Sequence, residues 1–107
     1  MTSGAFALGP DEGEQVSYLG GTAVFKIAVE LTGGWGVSHE TFPAGFASAV
    51  HIHRSEDGAF FILAGEMVIE CGDQRFRVGQ GSFVFMPKDV PHYFRVVSQE
   101  PAVWLNI

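Results

Sequence analysis

The chain has 107 residues, 47% of them hydrophobic, and 6 basic against 12 acidic side chains give a net charge of −6. That length fits one domain with a packed core, and the acidic balance argues against binding nucleic acid or an anionic membrane surface. Cys71 is the single cysteine, so no internal disulfide is possible and a reducing, cytoplasmic interior is the expected compartment.

No secretory leader is recognised, and no apolar run approaches the roughly 20 residues of a membrane helix. Fourteen glycines, five prolines and ten phenylalanines, without a long helical pattern, point to short strands joined by tight turns.

Residues 1–15 are small, polar and rich in breakers, and read as a flexible lead-in to a single domain over 16–107. Val16 to Ile27 holds a first strand pair with Gly20-Gly21 inside it, with Ala23, Phe25 and Ile27 sharing a face. Thr32-Gly33-Gly34 reads as a turn. In the strand from Trp35 to Phe42, Ser38, Glu40 and Phe42 face one way and Trp35, Val37, His39 and Thr41 the other.

Ala49 to His53 reads as a short strand that puts His51 and His53 on one face, because the side-chain period of a strand is two. Arg54 to Asp57 is a charged loop. Phe60 to Leu63 and Met67 to Cys71 read as strands, and Gly72-Asp73 turns the chain into Arg75 to Val78. Ser82 to Met86 is another strand. The rigid turn Pro87 to Pro91 delivers His92, whose strand alternates His92, Phe94 and Val96 against Tyr93, Arg95 and Val97. A last apolar strand runs from Pro101 to Ile107. Placed at an edge it needs a cover, which is the basis for expecting a homodimer.

Two imidazoles on one face, with a third arriving from a second strand, are a donor set for a divalent transition metal. Iron, zinc, nickel and copper all take neutral imidazole readily. Phe60, Ile62, Phe85, Phe94 and Val96 have spacings that suit the lining of an apolar substrate pocket; plain core packing is the alternative. Glu40 is a candidate general base or substrate contact, or else a solvent-facing strand residue. His39 reads as structural or surface, and Cys71 as a small buried hydrophobe.

Between residues 45 and 96 the chain resembles the cupin superfamily. Gly45, His51, His53 and Gly65 fall on its first motif; Gly81, Pro87 and His92 fall on its second, where Asp89 stands for a glycine and Val96 for an asparagine. Thr32-Gly33-Gly34, Glu40 and the run from Phe60 to Glu66 most resemble the small, single-domain, quercetin-dioxygenase-like members. The resemblance implies an all-β, mostly antiparallel double-stranded β-helix, the jelly-roll barrel. It also implies a metal site on His51, His53 and His92, with iron the first choice and nickel, manganese, copper or zinc possible.

The family's carboxylate ligand is replaced here by Gly58, which leaves a three-histidine site, a lost metal site or an altered one as readings. Glu56 and Asp57 are nearby but in the wrong register to replace it. The activity implied is a dioxygenase-like oxidoreductase acting on a small organic molecule. The alternatives are a non-oxidative isomerase, cyclase or lyase of a biosynthetic pathway, and a small-ligand binding module without catalysis.

Overall fold

The computed structural model describes residues 4–54 and 56–107. Residues 1–3 of the expected lead-in and Ser55 of the charged loop lie outside the described residues.

The chain opens with a hairpin of β1 (Glu14–Tyr18) and β2 (Gly21–Ile27). Leu19 and Gly20 form its two-residue turn, both at positive φ (52 and 83°), the pairing that matches strand twist. Ala23 is buried as the alternation predicts, but Phe25, expected on the same face, is exposed. The register against the next strand shifts between Phe25 and Ile27, and this irregularity interrupts the alternation.

A single helical turn, α1 (Val29–Thr32), replaces the expected turn, and Gly33 caps it in the left-handed region at φ 82°. Strand β3 (Val37–Phe42) then buries Ser38, Glu40 and Phe42, which the alternation puts on one face, so Glu40 is not the solvent-facing residue that was the alternative. The remaining strands are β4 (Gly58–Ala64), β5 (Glu66–Cys71), β6 (Gln74–Gly79), β7 (Phe83–Met86), β8 (His92–Val96) and β9 (Ala102–Asn106). All named pairings are antiparallel: a six-stranded sheet in the order β1-β2-β3-β9-β4-β7 and a three-stranded sheet in the order β6-β5-β8. This is the jelly-roll architecture.

Strand β9 is not at an edge. It lies between β3 and β4, so both its ladders are paired within the chain. The unpaired-strand argument for a homodimer therefore falls.

Inward side chains from both sheets fill the interior. Ile62, Met67, Ile69 and Trp104 are fully buried. Aromatic rings meet at the centre: Phe42 stacks on Trp104 at 5.4 Å, and Phe94 reaches Trp104 edge-on at 5.1 Å and Phe60 at 5.5 Å. Between β4 and β5 the chain turns at Gly65 (φ 77°), where an added Cβ would lie 2.7 Å from the Ala102 Cα. Only glycine fits so close an approach.

Residues 49–53 do not form the expected strand. The segment from Gly45 onward runs antiparallel to β8 through isolated bridges, Ala47 opposite Arg95 and His51 opposite His92. Moving from the first bridge to the second takes four residues on one side and three on the other, so one residue is extra on the histidine side. The Ser48 hydroxyl accepts the Phe94 N–H at 3.0 Å, and the Ser48 N–H donates to the Phe94 carbonyl at 2.8 Å. A side chain thus supplies the acceptor in an irregular ladder of the bulged kind.

Candidate metal centre

Backbone hydrogen bonds place the three imidazoles. His51 and His92 exchange both of their bonds, each 3.0 Å, which puts their side chains side by side. The Asp89 N–H donates to the His53 carbonyl at 2.7 Å and ties the second histidine to the turn that delivers the third. That turn needs a left-handed residue, and Asp89 supplies it at φ 66°. The Lys88 N–H donates to the Asp57 carboxylate at 2.9 Å, fastening the same turn from the other side.

The rings converge. His51 and His92 centroids are 4.3 Å apart, His51 and His53 5.2 Å, and His53 and His92 5.3 Å. One ligand atom from each lies within 4.8 Å of the others. Among the described residues this group contains no carboxylate and no thiolate.

The donor chemistry fits a divalent ion. The His51 Nδ1 lies 2.8 Å from the Ala49 carbonyl, and the His92 Nδ1 lies 3.1 Å from the Val90 carbonyl. A carbonyl oxygen only accepts, so both Nδ1 atoms carry the proton and each neutral ring keeps its Nε2 lone pair for a ligand. Burial lowers the pKa of His92 below 6.5, opposed by its bond to Val90 and reinforced by His51 and His53. The neutral, ligating form is therefore the favoured one at neutral pH. Metal–nitrogen bonds of about 2.1 Å ask donors to sit closer than 4.8 Å, and His53, the exposed member of the three, has the freedom to close that gap.

A cavity of about 700 Å³ opens beside His53. It is bounded by Phe25, Trp35, Phe85, Glu30 and Glu56 and by Ser38, Asp57, Gly58 and Asn106, among others. Phe85 lies on this wall. Phe60, Ile62, Phe94 and Val96 are buried in the aromatic and aliphatic core. Glu40 is buried on β3, opposite Trp104, and accepts a 3.4 Å bond from the Ser38 hydroxyl. Trp35 and Phe25, which complete the aromatic wall, were not singled out by sequence reasoning. Their faces are set by the end of the sheet, and no motif marks them.

A family model described as a cupin domain matches residues 38–107. No curated protein gives a significant match. Among solved structures, the iron(II) form of HppE superposes with a TM-score of 0.82 at 14% identity, over 99% of this chain and 61% of that one. A predicted oxalate decarboxylase from Thermotoga maritima gives 0.77 at 18% identity, over 91% and 90%. The cupin domain of Cnp3 from Schizosaccharomyces pombe gives 0.76 at 14% identity, over 87% and 66%. This chain thus spans less than two thirds of the HppE and Cnp3 chains. At these identities the likeness is one of fold.

Proposed function

The chain belongs to the cupin domain family, and from that premise we propose that it is a metal-dependent enzyme, a dioxygenase-like oxidoreductase acting on a small organic molecule. The observation that carries the reading is the convergence of His51, His53 and His92, with the first and third tautomers fixed for coordination. Iron is the preferred ion; nickel, manganese, copper and zinc suit the same donors. When bound, such an ion supplies Lewis acidity and, for iron, access to dioxygen chemistry.

The chain's own groups hold and shape the site. The two carbonyls, of Ala49 and Val90, orient the rings. Asp57 and Asp89 hold the turn that presents His92. Phe25, Trp35 and Phe85 form an apolar wall that sheds water from a bound organic body. Gly58 stands where the family's carboxylate ligand is expected, so the proposed site is one of three histidines.

Oxygen uptake by iron-loaded protein tests this reading, using a panel of flavonols and β-diketones. Uptake that His92→Ala abolishes supports it; turnover of a substrate that proceeds equally without oxygen contradicts it.

One observation favours a non-oxidative alternative, an isomerase, cyclase or lyase. Ser38 lines the cavity and its hydroxyl donates to the buried Glu40, so a proton can pass between the cavity and a carboxylate. In that reading Glu40 is the base, and Glu40→Gln removes turnover while leaving metal content unchanged.

Two further expectations are kept as proposals. A buried, unpaired Cys71 suits a reducing cytoplasm, and among the described residues no helix is long and apolar enough to cross a membrane. A homodimer now rests on the exposed Phe61 and Phe83 of β4 and β7, and sedimentation equilibrium checks it.

A further inference from the structure

The corner at Gly58 and the make-up of the cavity beside it constrain what the site takes; this inference rests on the metal reading above. Gly58, Phe60 and Ile62 alternate along β4 with Ala59, Phe61 and Leu63, so position 58 looks inward like the two buried residues after it. Phe60 meets Phe94 of the opposite sheet edge-on at 5.5 Å. Two residues before each stand Gly58 and His92, and the Asp57–Lys88 bond ties the residue before β4 to the turn between β7 and β8. Gly58 and His53 both line the cavity, so position 58 opens onto the same space as the histidine cluster. A Cβ added at Gly58 would meet nothing nearer than Met86, at 3.9 and 4.0 Å, so the corner is open rather than filled by a neighbour.

Charge decides what fits there. Three neutral imidazoles leave the whole charge of a divalent ion uncompensated, which draws in one anionic oxygen. Beyond that point, among the described residues, no Lys or Arg lines the cavity, whereas Glu30, Glu56 and Asp57 do. Lys26 is committed elsewhere, its ammonium donating to the Gly9, Pro10 and Glu12 carbonyls. Arg54, Lys88 and Arg95, the basic residues nearest His53 and His92 in sequence, are not among the lining residues. A second negative charge on the ligand would meet carboxylates, while an apolar body would meet Trp35, Phe25 and Phe85.

We infer that the corner opened by Gly58, beside His53, seats the ligand's own anionic oxygen, and that the adjoining cavity selects monoanionic organic acids with an apolar body over phosphates and dicarboxylates.

Calorimetry on the full chain tests this with benzoate and inorganic phosphate as probes, after a Co²⁺ titration. Expected results are one Co²⁺ per chain, benzoate binding at least tenfold tighter to the loaded protein than to the metal-free one, and phosphate at least tenfold weaker than benzoate. Gly58→Glu is expected to retain Co²⁺ and weaken benzoate tenfold or more, because its carboxylate takes the corner. Glu56→Lys, an exposed change, is expected to narrow the gap between phosphate and benzoate. Absence of Co²⁺ uptake overturns the metal reading and this inference with it. Uptake of Co²⁺ with no benzoate binding, or with phosphate bound as tightly, overturns this inference alone, as does a folded Gly58→Glu that binds benzoate like the parent.

Discussion

The Asp57 carboxylate accepts the backbone N–H of Lys88 at 2.9 Å, joining the loop after the first two histidines to the turn before the third. Asp57 is thereby occupied as a clasp rather than as a metal ligand, in keeping with its absence from the three-histidine group. The clasp needs an acceptor oxygen, not a charge. Asp57→Ala is expected to weaken Co²⁺ binding roughly tenfold, the scale of lost support around a ligand. Asp57→Asn, which keeps the oxygen, is expected to restore most of it. Paired titrations of the two variants check this; equal losses in both would assign the effect to charge.

Asp89 holds φ 66° at the position where the family motif has glycine. Aspartate tolerates this conformation better than most residues, and a β-branched side chain tolerates it poorly. Asp89→Gly is expected to leave stability within about 1 kcal/mol, since relief of strain and the added chain entropy offset. Asp89→Val is expected to cost about 2 kcal/mol. Urea unfolding of both variants gives the comparison.

Phe94 separates packing from ligand lining. Its ring touches Phe42, Phe46, Phe60 and Trp104, so Phe94→Ala is expected to cost about 3–5 kcal/mol through the cavity it leaves. Phe85 is 53% exposed and lines the cavity, so Phe85→Ala is expected to cost less than about 1 kcal/mol while weakening benzoate binding to the loaded protein. Denaturant unfolding and calorimetry read the two effects apart.

Alkaline pH acts through two groups. Burial pushes the Cys71 thiol above its ordinary 9.0. The Tyr93 hydroxyl donates to the Glu70 carboxylate, and chiefly this bond raises its pKa above 10.0. For both, the folded pKa exceeds the unfolded one, so the unfolded chain loses protons first. Stability is expected to be level at neutral pH, to fall as pH rises past about 9 and to fall more steeply past about 10. In Tyr93→Phe the second decline is expected to shrink. Unfolding across pH 7 to 11 measures it.

Much of this was legible in the sequence. The strand alternation of β3 and β8 grouped Ser38, Glu40, Phe42 and His92, Phe94, Val96 by face, though not which face of β3 turns inward, and the motif spacing brought the three histidines together. The strand around His51 and His53 was misread because one residue is extra between the two bridges to β8, and no local pattern reveals where Ser48 will bond. The place of β9 was missed for another reason. Its partners, β3 and β4, are set by the order of strands across the sheet, which periodicity along a single strand does not carry. On β7, Val84 and Met86 face inward and Phe85 outward; with apolar residues at every position, the sequence offered no polar face to decide between them.

The most direct test is metal stoichiometry on protein loaded with Co²⁺ and desalted, beside His51→Ala and His92→Ala prepared the same way. The geometry predicts one ion per chain in the parent and a loss of that ion in each folded variant. A parent that retains no ion, or a folded His92→Ala that retains it fully, contradicts the three-histidine centre.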